Sequence, residues 1–221
     1  MRIAIPSSPF RPLFASGALT QLEWVERCAS AFGADGLVAD LADFPRTDAD
    51  YVAQVRKIAV DLGIVPFALD APGLLGGEIA TAEARDAVFV LAAQFGALCV
   101  RTHLPAPGDL PPATFVEAVA QGKATARAAK AANVTVIIEA SPATIGADLD
   151  GVQHFIKDVD SAWLRACPHV HERASLGARE RTPAFTGALD AVPAERGWLI
   201  AAMTPQEAEE RLDRGGRSIP G

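Results

Sequence analysis

The stretch Val134-Thr135-Val136-Ile137-Ile138-Glu139 decides the fold, because a nearly continuous apolar run ends there in an acidic residue. Runs of this kind suit parallel strands that are buried on both faces of a sheet. Three more segments have the same layout, with an amphipathic helix before the strand and a polar residue at its end: 36–40, 64–70 and 97–103. The chain therefore repeats a strand–helix unit.

The segments between these strands carry helix signals. Thr20 followed by Glu23 is a capping-box pattern, and a threonine opens each of the first three predicted helices: Thr20, Thr47 and Thr81. A glycine ends each of the three: Gly33, Gly63 and Gly96. Two further helices are predicted, one ending at Ala132 and one over 149–159.

The strand spacing favours a barrel. The midpoints lie about 30–36 residues apart, which is typical of strand–helix–strand units with right-handed crossovers. A first strand at 2–5, a sixth at 162–166 and a last at 197–203, before a helix over 204–212, extend the series. A closed barrel would also need a seventh strand near 183–189. The sequence thus predicts one α/β domain over 1–221, a small or incomplete (β/α)8 TIM barrel with a shortened last third.

An open doubly wound sheet is the alternative fold. Such sheets usually place a glycine-rich phosphate loop after the first strand, and here that position reads Ile5-Pro6-Ser7-Ser8-Pro9-Phe10. This stretch is rich in proline and offers few free backbone donors, so the barrel is favoured.

Composition limits the class of protein. The chain has 221 residues, half of them hydrophobic, and a net charge of −7, which disfavours nucleic-acid binding. No apolar run approaches the roughly 18 residues of a membrane span. The three cysteines are far apart and odd in number, which does not suggest a disulfide framework. We therefore expect a soluble cytoplasmic protein with a small-molecule substrate and neither a nucleic-acid nor a membrane partner.

Polar residues end the predicted strands at the edge where parallel α/β folds carry their sites: Asp40, Asp70, His103 and Glu139. Glu139 and His103, on adjacent strands, are candidate catalytic residues for proton transfer. Arg101 should face the same side as His103, where it would either pair with a carboxylate or bind an anion. In the alternative interpretation these polar residues only begin loops, and Asp70 before Pro72-Gly73 also suits a turn.

A second cluster follows the sixth strand, Cys167-Pro168-His169-Val170-His171-Glu172-Arg173. Its residue types bind metals, but its two histidines lack the i, i+4 spacing of a helical two-histidine site. The cluster is therefore either a metal site or a polar loop. Cys99, inside an apolar strand, is expected to be a core residue.

The order of the segments resembles the xylose isomerase-like TIM-barrel superfamily, which includes sugar-phosphate isomerases and epimerases and the endonuclease IV-like enzymes. The resemblance covers roughly residues 1–165, and the matching stretches are 32–38, 61–65, 97–101 and 133–139. It implies that Glu139 is a metal ligand, that His169 stands in for a second ligand, and that a divalent ion (Mn, Zn, Co or Mg) is the cofactor.

The chain departs from the family pattern at two strand ends. The sixth strand of the family usually ends in Asp followed shortly by Gly-His, whereas this chain reads Leu164-Arg165-Ala166-Cys167-Pro168-His169. The last strand ends in Ala201-Ala202-Met203, where the family has Glu. Arg165 repels a cation and attracts an anion, and a single glutamate does not hold a hard cation.

Two hypotheses follow. In the first, the protein is an isomerase or epimerase acting on a small polar or anionic sugar-like substrate, such as a sugar phosphate. Glu139 and His103 would transfer the proton, and five residues would contact the substrate: Asp40, Asp70, Arg101, Arg165 and His169. In the second, the barrel is catalytically degenerate and binds a ligand or a partner. Apolar faces left uncovered in the short last third would favour a homodimer.

Overall fold

A computed structural model describes residues 2–76, 79, 81–106, 115–167, 198–200 and 204–215. The strands are β1 (Arg2–Pro6), β2 (Gly36–Asp40), β3 (Val65–Asp70), β4 (Cys99–His103), β5 (Thr135–Glu139), β6 (Leu164–Cys167) and β7 (Trp198–Ile200). The helices are α1 (Arg11–Ser16), α2 (Gln21–Ser30), α3 (Ala49–Asp61), α4 (Ala82–Phe95), α5 (Phe115–Ala132), α6 (Leu149–Val159) and α7 (Pro205–Gly215). No helix in these ranges is both long and apolar enough to cross a membrane.

The strand order distinguishes the two predicted folds. The described strands form one parallel sheet in the order β6-β5-β4-β3-β2-β1-β7. The first six strands thus lie side by side in chain order, and the last described strand returns to pair with β1. A doubly wound sheet instead reverses its order at a switch point. The observed order is that of a barrel.

The two faces of the sheet differ in what covers them. Helix side chains pack with one face in the larger core cluster. The smaller cluster, on the opposite face, takes its buried members from strands alone: Ala4, Val38, Phe67, Ala68, Cys99, Ile137, Cys167 and Ile200. A sheet with its helices on one face buries the other face by curling around it. The predicted α/β TIM-barrel fold is therefore confirmed; the strand predicted near 183–189 lies outside the described residues.

An irregularity in β3 turns Asp70 into the barrel. The register with β2 shifts between Leu37 and Val38, so that Phe67 is passed over and both Phe67 and Ala68 pack in the inner cluster. Strict alternation from Phe67 would point Asp70 outward towards the helices. The shift restores the inward direction, and Leu69 packs against the helices instead. The preceding Pro66, which cannot donate a ladder hydrogen bond, is typical of such sites.

Most predicted helix starts match the structure, and the starts of α3 and β6 are corrected by one or two residues. Helix α2 ends at Ser30, before the predicted Gly33, and α7 runs on to Gly215, past the predicted 212. Thr20 and Thr81 cap α2 and α4, and Thr20 forms the full capping box with Glu23. Helix α3 is capped by Asp48, whose carboxylate accepts from the Tyr51 amide at 3.1 Å, and not by the predicted Thr47. Strand β6 begins at Leu164 and not at residue 162, because residues 162–163 form a turn.

The segment after β1 contains a helix that the sequence analysis did not predict. A short 3₁₀ helix (Ser8–Phe10) leads into α1, and each has a proline in its first turn. Proline suits the first turn of a helix, where its missing N–H is not needed. Gly17, at φ 72°, ends α1 and turns the chain towards α2. The excursion places Arg11 at the strand-end side of the barrel.

A close approach between α5 and α6 gives a test of the packing. A Cβ atom on Gly122 would lie 2.6 Å from Phe155 Cζ and 2.7 Å from Val159 Cγ2. We expect Gly122→Ala to lower the free energy of unfolding by about 1–3 kcal/mol through overpacking, although alanine is the better helix former. The exposed neighbour supplies the control, Lys123→Ala, which should change it by less than about 0.5 kcal/mol in the same urea titration. Stabilisation by Gly122→Ala would contradict this packing.

Candidate functional site

The carboxyl ends of β2 to β5 surround a cavity of about 340 Å³. Its described lining residues are Ser8, Asp40, Asp70, Pro72, Arg101, Thr102, His103, Glu139, Ala140 and Ser141. Asp70 is the register partner of both Asp40 and Arg101, and His103 is the partner of Glu139. The structure thus brings five of the predicted site residues to one place.

Arg101 is the centre of this cavity. Its Nε donates to Asp70 Oδ1 at 2.6 Å, and its Nη2 donates to Asp70 Oδ2, which makes the pair bidentate. Its Nη1 lies 3.4 Å from Glu139 Oε2. The side chains are 19%, 11% and 27% exposed for Arg101, Asp70 and Glu139. Of the two roles predicted for Arg101, the structure shows pairing with carboxylates.

Burial and charge act in opposite directions on this pair. Burial on its own lowers the pKa of Arg101, but the carboxylates of Asp70 and Glu139 outweigh it, and the pKa is raised above its ordinary value. Burial raises the pKa of Asp70, and the positive charge of Arg101 offsets only part of that rise. Arg101 is therefore a permanent cation at the centre of the cavity.

Glu139 remains accessible from the cavity. Its one ion pair among the described residues is the contact with Arg101 through Oε2, so its other oxygen is available to a bound molecule. His103 lies beside it on the neighbouring strand and is partly buried. A carboxylate and an imidazole at adjacent strand ends can take up and return a proton on the same small molecule.

Asp40 is held at the rim by a network that the sequence analysis missed. Its Oδ2 accepts from Arg11 Nη2 at 2.7 Å, and its Oδ1 accepts from the Ala42 amide at 2.9 Å, which caps a 3₁₀ turn. Asp43, three residues on, accepts from Ser7 Oγ and from Arg11 Nε, both at 2.6 Å. Asp40 thus lies at the cavity, as predicted for a site residue, and it also caps the loop after β2, as the alternative interpretation of a polar residue at a strand end predicted.

The only sequence signal for this network is the spacing of the two aspartates, one turn apart. Arg11 directly follows the proline-rich stretch 5–10, in which the sequence analysis predicts neither a helix nor a functional residue.

Two loops above the cavity brace each other. The Ile145 amide, after β5, donates to the Pro105 carbonyl, after β4, at 3.0 Å. A Cβ on Gly146 would lie 2.5 Å from Leu104 Cδ1, so the loops touch without space for a side chain. The first residues after β4 are therefore held against the loop after β5.

No protein-family model matches the chain, and a search of curated proteins also gives no match. Solved structures do match. A probable 3-DHS dehydratase from Bacillus anthracis is 15% identical with a TM-score of 0.61, over 75% of this chain and 62% of that protein. A xylose isomerase domain protein from Planctomyces limnophilus is 14% identical with a TM-score of 0.59, over 86% and 89%. The 3-keto-D-glucoside 4-epimerase of E. coli is 13% identical with a TM-score of 0.56, over 75% and 67%.

These likenesses agree with the strand order and with the inner core. The chain has the TIM-barrel fold, as these solved structures do. It spans about three-fifths of the length of the Bacillus anthracis dehydratase.

The register of β6 places Arg165 below the strand ends. Arg165 pairs in register with Ile137, and Cys167 is the residue opposite Glu139. Arg165 is therefore one layer below the strand ends, it is exposed, and it is absent from the described lining of the cavity. The strand that was predicted to end at residue 166 runs on to Cys167, and the contact of Arg165 with a substrate stays a prediction. His169 lies outside the described residues.

The described side chains do not fit a divalent ion. Within the described ranges there is no group of three or more His, Cys, Asp or Glu side chains placed to hold a metal. Asp70 lies at the end of β3 and Glu139 at the end of β5. Both carboxylates contact the guanidinium of Arg101, which lies between them. A hard cation needs several oxygen ligands free of such a charge. A site that includes His169 stays a prediction.

The buried Asp70–Arg101 pair predicts a large effect on stability. Asp70→Ala leaves Arg101 without its bidentate partner, so we expect the free energy of unfolding to fall by about 3–5 kcal/mol. The matched control is the exposed Lys57–Asp61 pair, where Asp61→Ala should cost less than about 0.5 kcal/mol. Guanidinium titrations of both variants measure the difference. Equal losses of unfolding free energy in the two variants would show that the buried ion pair contributes no more to stability than the exposed one.

Proposed function

We propose that this protein is an enzyme that moves a proton on a small, uncharged sugar-like substrate, in the manner of an isomerase or epimerase. The observation that carries the proposal is the position of Glu139. It lies at the cavity, beside His103 and in contact with the cation Arg101.

The chemistry needs one base, one acid and a positive charge. Glu139 would take the proton from the carbon next to the substrate carbonyl, and His103 would give a proton to the carbonyl oxygen, forming an enediol. Return of the proton from Glu139 to the former carbonyl carbon gives the isomer. For the epimer, a water molecule would give a proton to the opposite face of the original carbon, and the hydroxide left behind would take the proton from Glu139. In either case His103 regains its proton from the enediol hydroxyl, and atoms balance. Arg101 would stabilise the negative charge that develops on the substrate oxygens.

The names of the structural neighbours support this class of reaction. One is named a probable dehydratase and another an epimerase of a keto-glucoside. The cavity volume of about 340 Å³ suits a small molecule. The likeness at this identity concerns the fold, so the reaction itself rests on the geometry of Glu139 and His103.

Of the polar and anionic substrates that the sequence suggested, the charges favour an uncharged polar one. Three carboxylates, those of Asp40, Asp70 and Glu139, line the described part of the cavity, with one guanidinium. The guanidinium of Arg101 already forms ion pairs with two of these carboxylates, Asp70 and Glu139. Arg165, the other predicted anion-binding residue, is absent from this lining. A phosphate group would therefore meet a net negative surface there.

Solvent exchange tests the proposal. The full chain is incubated in D₂O with a panel of ketohexoses and ketopentoses, and NMR follows deuterium incorporation and the appearance of epimers. We expect exchange with at least one sugar, and a loss of at least about 100-fold in Glu139→Gln, because the carboxylate is the base. His103→Gln should also reduce the rate. Lys123→Ala, on the surface of α5, should leave it unchanged.

Two outcomes would contradict this proposal. Full activity in Glu139→Gln would remove the assigned base. Binding of sugars in a calorimeter without any exchange would favour the catalytically degenerate barrel, which binds a ligand and leaves it unaltered.

A further inference from the structure

The charged side chains at the strand ends surround the side chain of Arg101, which lies at the centre of the cavity. Carboxylates approach from β2, β3 and β5, and the guanidinium of Arg101 enters from β4 between the last two. Three of its nitrogens are engaged, Nε and Nη2 with Asp70 and Nη1 with Glu139. Converging carboxylates of this kind are the surroundings that hard divalent cations prefer.

We propose that the guanidinium of Arg101 is the built-in cation of this barrel, occupying the place between Asp70 and Glu139 and excluding a resident divalent metal ion. A dication close enough to bind either carboxylate would lie against the positive charge of Arg101. Both oxygens of Asp70 already accept from that guanidinium, and Glu139 is 3.4 Å from it. An ion can take the place between the two carboxylates only if Arg101 leaves it.

The packing of Arg101 opposes such a departure. Its side chain is only 19% exposed, and it extends from the middle of β4, between the buried Cys99 and the strand-end His103. If the Arg101 side chain left the cavity, the Asp70 carboxylate, which is 11% exposed, would lose its bidentate partner. Unpaired buried charge is strongly unfavourable. The contacts that hold the Arg101 guanidinium in place are therefore the same contacts that exclude a divalent metal ion.

A covalently attached cation differs chemically from a bound ion. Its planar fork supplies directed N–H donors to developing oxyanions, and it has no open coordination position for a substrate hydroxyl. It is also present at every concentration of metal or chelator. This catalytic consequence rests on the proposed function, but exclusion of the ion from the carboxylates does not.

Metal binding by the apoprotein tests the proposal directly. The full chain is dialysed against chelator and titrated with Mn²⁺, with free Mn²⁺ followed by electron paramagnetic resonance. The wild type should show no stoichiometric site that depends on Glu139, so its titration should match that of Glu139→Gln. Arg101→Gln removes the charge and leaves two carboxylates unpaired, so Mn²⁺ should bind at least about tenfold more tightly.

Two further variants locate any gained site. Arg101→Lys keeps the positive charge and should resemble the wild type. The double variant Arg101→Gln/Glu139→Gln should lose the gained binding, because it removes one of the two carboxylates. Circular dichroism confirms that each variant is folded, and if Arg101→Gln is not, Arg101→Met, with a stem of similar length, takes its place.

Two results would overturn the proposal. One is a stoichiometric Mn²⁺ site in the wild type that disappears in Glu139→Gln. The other is a folded, uncharged variant at position 101 that binds Mn²⁺ no better than the wild type. The measurement is metal binding, so it stays informative even if no sugar undergoes exchange. Failure of the proposed function is thereby distinguished from failure of the proposal that Arg101 excludes a metal ion.

Discussion

The ion pair between Asp70 and Arg101 is the constraint on which the rest of the site depends. Both residues point into the barrel, and they are register partners on β3 and β4. A slip of one residue would carry one of the charges into the apolar layer between sheet and helices, where it would have no partner. The pair therefore specifies the register of these strands. Through β4 it also fixes His103, and through the β4–β5 register it fixes Glu139.

Much of the architecture follows from local sequence signals, because those signals and the tertiary structure agree. The apolar runs that end in polar residues became strands, and the caps at Thr20 and Thr81 act as the pattern predicts. Convergence of the strand ends followed from the parallel sheet alone. The inward direction of Asp70 did not, since it depends on a register shift near Pro66 that no pattern of apolar residues reveals.

The interactions that the sequence did not reveal are those between residues distant in the chain. Arg11 bonds carboxylates about thirty positions away, and nothing in the segment around it indicates a functional arginine. Conversely, the resemblance placed Arg165 near the end of a strand predicted over 162–166, whereas β6 ends at Cys167 and Arg165 pairs with Ile137. Chain position predicts the strand on which a residue lies more reliably than its layer within the barrel.

The bracing of the two loops above the cavity has a consequence for how this barrel can acquire a new specificity. A Cβ atom at position 146 would lie 2.5 Å from Leu104 Cδ1, so a side chain there requires Leu104 either to shift or to be replaced by a smaller residue. Changes on one loop are thus conditional on the other, and single substitutions explore only a small part of the accessible pocket shapes. Divergence would proceed through coupled pairs, so a combinatorial library spanning both positions would reach binding sites that stepwise mutation does not.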